Sequence, residues 1–327
     1  MKEFQTHSTV SVSQGYYRYA TEHLHHRCST VVAGLFRCSS QIRSALWILA
    51  VGISVFCPGA VPARAQESSY ATESTQQPLG TAKSEQESSD IAKAAQNPIA
   101  NMFSVTVDNY FYRQGMYTGN EYAQEIKPVV PIPLSKDWVL VTQTIIPLIH
   151  ISVPGMTGTS GLGNIQESLF FSPTKAGPGG IIWGAGPAIV APTATFGISG
   201  NDEWSLGPNF VVLKSQGHWL YGSLAQNVWS VGAGRIGLAL NQMLLQPFVN
   251  YNLPHGWYLV SSPIITADWE LENGRWFVPV GGGAGKIVHF GKLPVNIYGQ
   301  VFRNAEYPSG SSKWSARFEM QFLFPKR

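Results

Sequence analysis

The chain has 327 residues and a formal charge of +3, but residues 1–65 hold six Lys/Arg against two Asp/Glu, and the remainder sixteen against seventeen. The remainder is thus slightly acidic, which removes the basic surface that nucleic-acid binding needs. All three cysteines (Cys28, Cys38, Cys57) precede residue 65, so the rest of the chain has no disulfide framework, cysteine metal site or cysteine nucleophile.

Residues 1–42 look like no folding unit and read as an unstructured extension. Either the export signal behind them is unusually long or the start is placed too early. Residues 43–65 hold the three parts of that signal: the charged flank Arg43, an apolar run from Ala45 to Cys57, and the small-x-small site Ala63-Arg64-Ala65 before Gln66. The run is shorter than the ~20 residues of a membrane-spanning helix. Phe56 directly before Cys57 argues against a lipoprotein signal. Residues 66–97 are polar low complexity with little apolar surface to offset their ordering entropy. They read as a flexible periplasmic leader, with room for a short helix near 91–95.

From residue 98 to 327 the character is that of repeated strands. Twelve are predicted, near 101–112, 121–132, 138–150, 162–172, 181–191, 204–214, 218–230, 239–251, 257–269, 275–287, 293–303 and 313–324. Most reach the ~9–11 residues that span a bilayer at a tilt. Short connections such as Ser135-Lys136-Asp137, Ser215-Gln216-Gly217 and Phe290-Gly291-Lys292 alternate with mostly longer ones, as outer-membrane barrels alternate periplasmic turns and outer loops. Tryptophans at strand ends (Trp138, Trp183, Trp204, Trp219, Trp229, Trp257, Trp269, Trp276, Trp314) fit aromatic girdles. Pro128, Pro147, Pro187, Pro208, Pro247, Pro263 and Pro279 oppose this pattern, because each removes a ladder donor.

The last strand carries the clearest signal. Trp314, Ala316, Phe318, Met320, Phe322 and Phe324 alternate with Ser315, Arg317, Glu319 and Gln321. Alternate side chains leave a strand on opposite faces, so one face suits lipid and the other a polar lumen. The expected fold is all-β, a transmembrane antiparallel up-and-down β-barrel of about twelve strands, embedded in outer-membrane lipid and delivered by the barrel-assembly machinery.

Five segments carry a resemblance to a known family: Gln96-Asn97-Pro98-Ile99-Ala100-Asn101; Leu244 to Pro254; Gly256-Trp257-Tyr258-Leu259 through Ala267; Val278-Pro279-Val280-Gly281-Gly282-Gly283 with Gly285-Lys286; and Phe322-Leu323-Phe324-Pro325-Lys326. They resemble the bacterial outer-membrane barrel family labelled "MetA-pathway of phenol degradation", whose members are often named transporter or neuromedin U. The resemblance spans about residues 96–327 and includes the prolines. It implies an outer-membrane location and uptake of small hydrophobic or aromatic compounds. It supplies no catalytic residues and no cofactor.

Gly281 to Lys286 invites a phosphate-loop reading, but Val280 stands where the first glycine belongs and Ile287 where Ser or Thr must bind magnesium. A glycine-kinked strand accounts for it. His150-Ile151-Ser152 matches the spacing of a lipase-type outer-membrane dyad, yet Val153-Pro154 follows instead of Asn-Gly. His218, His255 and His289 show no metal spacing. The lumen-lining candidates are Asp108, Glu125, Lys127, Gln242, Gln246, Asn250, Asp268, Gln300, Arg317 and Glu319, with Thr266 and Asn296 beside them. Charges inside a membrane protein mark a pathway, or else form an ion-pair web that packs a narrow lumen. The alternation of its strand points Glu167 toward lipid. The expected function is an outer-membrane channel or transporter; the alternatives are a lipase-type enzyme and a structural or adhesive envelope barrel.

Overall fold

The computed structural model describes residues 91–113, 120–152, 158–195, 200, 202–231, 240–273, 275–308 and 311–325. The expected signal sequence, its expected cleavage site and the three cysteines lie outside these residues. The strands are β1 (Phe103–Arg113), β2 (Asn120–Pro133), β3 (Trp138–Ser152), β4 (Thr159–Leu162), β5 (Gln166–Pro173), β6 (Ile181–Val190), β7 (Ser205–Gln216), β8 (Trp219–Ser230), β9 (Asn241–Asn252), β10 (Trp257–Ser261), β11 (Ile265–Asp268), β12 (Trp276–Phe290), β13 (Leu293–Glu306) and β14 (Trp314–Phe324).

Every pairing is antiparallel, and β1 pairs β14 from Phe103↔Phe324 to Arg113↔Trp314, which closes the sheet. β4 and β5 both pair β3 and form one stave interrupted at 163–165. β10 and β11 both lie between β9 and β12 and form another, interrupted at 262–264. The fourteen segments therefore make a closed barrel of twelve staves, in the order the sequence predicts.

Residue period two sets the two faces. On β14 the odd residues Ser315, Arg317, Glu319 and Leu323 are buried, whereas Trp314, Phe318 and Phe324 are exposed. The same alternation on β1 buries Ser104, Thr106, Asp108, Tyr110 and Tyr112. Large apolar side chains are thus exposed around the outer wall, with Trp138, Trp219 and Trp257 toward the end that holds the short turns and Trp204, Trp229, Trp276 and Trp314 toward the other. This is the reverse of a soluble protein and the arrangement of a lipid-embedded barrel. The turns Gly217-His218 and Gly291-Lys292 are tight because Gly217 (φ 60°) and Gly291 (φ 63°) take left-handed conformations without strain.

Five of the seven prolines that oppose the strand pattern have a structural account. Pro187 lies directly opposite Pro208. The registers Leu245↔Ile265 and Val249↔Ser261 set Pro247 opposite Pro263 within the second break. Pro279 sits at a register shift between β12 and β13. For these five prolines the missing donors are grouped, as two facing pairs and one register shift, rather than spread singly along the ladder.

Residues 91–97, which composition assigns to the leader, are packed inside the barrel at the short-turn end. Residues 91–95 form a helical turn. Its Ala92 and Ala95 lie against Ile287 and Leu323. Gln96 and Asn252 exchange amide hydrogen bonds of 2.8 and 3.3 Å. Asn97 Oδ1 accepts from the Ile99 N–H at 3.0 Å. Ile99, 4% exposed, then joins Val129, Val139, Val141, Phe170, Val211, Leu213, Leu220 and Phe248 in the largest apolar cluster. Gly184 leaves room for it, since a Cβ there would stand 3.3 Å from Ile99 Cδ1 and 3.2 Å from Phe170 Cβ. Burying one isoleucine stabilises by ~1.5–3 kcal/mol, and the small alanines let the segment approach the wall.

Candidate functional site in the lumen

Register builds the site. Asp108 lies directly opposite Glu125 on β2 and directly opposite Glu319 on β14. Three carboxylates thus stand in one row across the seam where the barrel closes. Like charges in adjacent strands repel, and two cations displaced by two residues relieve the row. Arg317 Nε reaches Asp108 Oδ1 and Oδ2 at 3.0 and 2.9 Å, and its Nη2 reaches Asp108 Oδ2 at 2.6 Å and Glu319 Oε2 at 2.9 Å. Lys127 Nζ lies 2.5 Å from Asp108 Oδ2 and 3.5 Å from Glu125 Oε2.

Tyrosines complete the network. Tyr110 donates to Asp108 at 2.7 Å, and Tyr298 donates to Glu319 at 2.6 Å. The Arg317 guanidinium lies 5.4 Å from the ring centres of both Tyr110 and Tyr298. Its planar cation thereby gains two aromatic faces in addition to its carboxylates. The donors converge unevenly. Asp108, fully buried, receives four of them, whereas Glu125 has Lys127 as its one close partner among the described residues.

Amides line much of the rest. Tyr258 donates to Asn296 at 2.6 Å, and Asn296 donates to Gln321 at 3.3 Å. Gln300 reaches past β12 to mend the second strand break: its Oε1 accepts from the Ser262 N–H at 2.9 Å and its Nε2 donates to Ser262 Oγ at 2.8 Å. Gln166 on β5 and Gln226 on β8 exchange bonds of 3.1 and 3.3 Å. Asn250 Oδ1 is buried without a hydrogen-bond partner among the described residues.

These walls enclose a cavity of about 190 Å³, floored by Gln96, Asn97, Pro98 and Met102. Glu125, Lys127, Arg317 and Glu319 line one side, and Leu224, Leu244 and Phe248 contribute apolar surface. Of the candidates read from sequence, Glu125, Lys127, Gln246, Asn250, Arg317 and Glu319 line the cavity itself. Asp108 stands behind them, and Gln300 holds the strand break. Asp268 pairs Gln242 in register toward the long-loop end, and both are buried. Sequence reasoning missed the floor and the three tyrosines; alternation along β1 and β13 does place Tyr110 and Tyr298 on the inner face.

Two polar features face outward. His150 Nδ1 lies 2.7 Å from Ser160 Oγ on β4, so its hydroxyl partner is Ser160 rather than Ser152. Glu167 faces outward, where its Oε2 accepts from Thr144 Oγ1 at 2.6 Å. Gly281 to Lys286 lies wholly within β12. A Cβ on Gly285 would stand 2.3 Å from the Tyr258 ring, so this glycine makes space for a lumen side chain rather than a phosphate.

No protein-family model matches the sequence, and no curated protein matches it either. Solved structures do. An outer membrane channel from Pseudomonas putida F1 superposes with a TM-score of 0.55 at 15% identity, covering 68% of this chain and 96% of that one. The NanC porin gives a TM-score of 0.41 at 10% identity, covering 67% of this chain and all of that one. At 15% identity the likeness to the Pseudomonas putida channel is one of fold, the closed outer-membrane β-barrel.

Proposed function

We propose that the protein is an outer-membrane channel or transporter that admits small hydrophobic or aromatic solutes. The observation that carries this reading is the amphipathic cavity: a closed barrel with an apolar outer wall encloses a lumen pocket bounded by both charged and apolar surface. Mid-lumen pockets with a few converging polar groups suit small-molecule passage better than a solid ion-pair plug. The fold shared with the Pseudomonas putida channel supports the transport class. The sequence resemblance to the phenol-degradation barrels supports the solute class. Export through a cleaved signal and insertion by the assembly machinery follow from the same reading.

The lipase alternative rests on His150 and Ser160. A serine nucleophile needs a base that a third group orients, and among the described residues Ser160 is the one hydrogen-bond partner of His150. Planar-bilayer conductance and uptake of benzyl alcohol into proteoliposomes test the transport reading. A barrel that neither conducts nor admits this solute, yet cleaves acyl esters in detergent, would reverse the assignment.

A further inference from the structure

We propose that the lumen cavity selects apolar amines, small organic cations whose ammonium group binds at Glu125. The inference rests on the transport reading and names the solute class within it.

The lumen wall at the seam carries a surplus of hydrogen-bond acceptors. Carboxylates only accept hydrogen bonds when ionised, and Lys and Arg only donate. Among the described residues, the seam wall sets Asp108, Glu125 and Glu319 against Lys127 and Arg317. Both cations are already engaged: Arg317 by Asp108 and Glu319, and Lys127 by Asp108. An incoming anion would find no uncommitted cation on this wall among the described residues and would meet three carboxylates. An incoming donor finds Glu125, which shares Lys127 at 3.5 Å and lines the cavity directly. It also finds Asn250 Oδ1, buried on the same cavity with no hydrogen-bond partner among the described residues.

The remaining surface sets the body of the solute. Leu224, Leu244, Phe248 and Val260 give it an apolar wall. The volume, about 190 Å³, exceeds the roughly 150 Å³ of an apolar protein cavity that accepts benzene. A single ring with a short aminoalkyl arm matches both surfaces, whereas an uncharged arene satisfies only the apolar one.

The test uses the complete purified barrel, with titration calorimetry in detergent and flux in proteoliposomes. The probes are 2-phenylethylamine, phenylacetate and benzyl alcohol, alike in body and different in charge. The amine is expected to bind about tenfold more tightly than phenylacetate, since a charge-assisted hydrogen bond is worth at least this much. Glu125→Gln should remove that preference, lowering amine binding far more than benzyl alcohol binding. Lys127→Met should strengthen amine binding by freeing Glu125, a change opposite in sign to that of a generally weakened lumen. Phenylacetate binding as tightly as the amine overturns the inference, and so does weaker amine binding in Lys127→Met. Flux of benzyl alcohol without an amine preference overturns the inference alone. Preferential amine binding without flux of any probe upholds the site and overturns the transport reading.

Discussion

Asp108 and Arg317 meet across the seam between the first and last staves, with three contacts of 2.6–3.0 Å between residues 209 apart in sequence. The pair forms only when the barrel is closed, and it holds both cations' attention at the point where three carboxylates converge. Closure and lumen charge are therefore one event in this protein.

Breaking that pair on one side should be costly. Removing one partner of a buried ion pair costs about 3–5 kcal/mol, because the other charge is left uncompensated. Arg317→Met is expected to lose much of the heat-modifiable folded band on a gel. The double variant Asp108→Asn/Arg317→Met should recover most of it. A double variant no more stable than Arg317→Met would show that the two side chains are not energetically coupled.

Charge reversal at the least committed carboxylate should change ion selectivity. Glu125→Lys moves the lumen two charge units toward positive, and charge that lines a pore sets its electrostatic barrier. The reversal potential in a salt gradient should shift toward anions. An unchanged potential would place Glu125 off the conducting path.

The floor of the lumen should limit conductance. Ile99→Asp buries an unpaired carboxylate in the largest apolar cluster, which costs far more than the ~1.5–3 kcal/mol the isoleucine contributed. The segment should leave the lumen while the twelve staves persist, because its contacts are with strand interiors and not with strand ladders. Single-channel conductance should rise, and Gly184→Val should act in the same direction by filling the space that Ile99 enters.

The closing strand should report two environments at adjacent positions. Phe318 is exposed on the outer wall, Glu319 is buried in the lumen, and Met320 returns to the outer side. An arginine facing mid-membrane lipid costs about 2–4 kcal/mol, far more than one facing a lumen. Met320→Arg should reduce assembly, and Gln321→Arg should be tolerated. Spin labels along 318–322 should alternate between oxygen and aqueous-quencher accessibility; uniform accessibility would mean that this strand does not divide lipid from water.

Gln300→Leu should loosen the second strand break. It strips the Ser262 N–H of its acceptor, and an orphaned buried donor costs ~1–3 kcal/mol. Amide exchange at residues 262–264 should accelerate, with little change at β6 or β7.

Local pattern determined most of the architecture. Period-two alternation, turn glycines and strand-end tryptophans are written into short stretches of chain, so the twelve staves and the inward faces of Asp108, Glu125, Lys127, Arg317 and Glu319 could be read from them. Alternation also pointed Glu167 outward, although not to Thr144 as its partner. Tertiary structure decided what depends on closure. The row Glu125–Asp108–Glu319 arises from the register of β1 against both neighbours, and no local signal sets the register of strands at opposite ends of a chain. The packing of Ile99 against Phe170 and Phe248 depends on the diameter of the closed barrel, which strand number and stagger fix together. Composition marked residues 91–97 as leader because so few apolar side chains argue against folding in water. Inside a lumen already built, a few small or apolar residues and one amide pair are enough to hold such a segment in place.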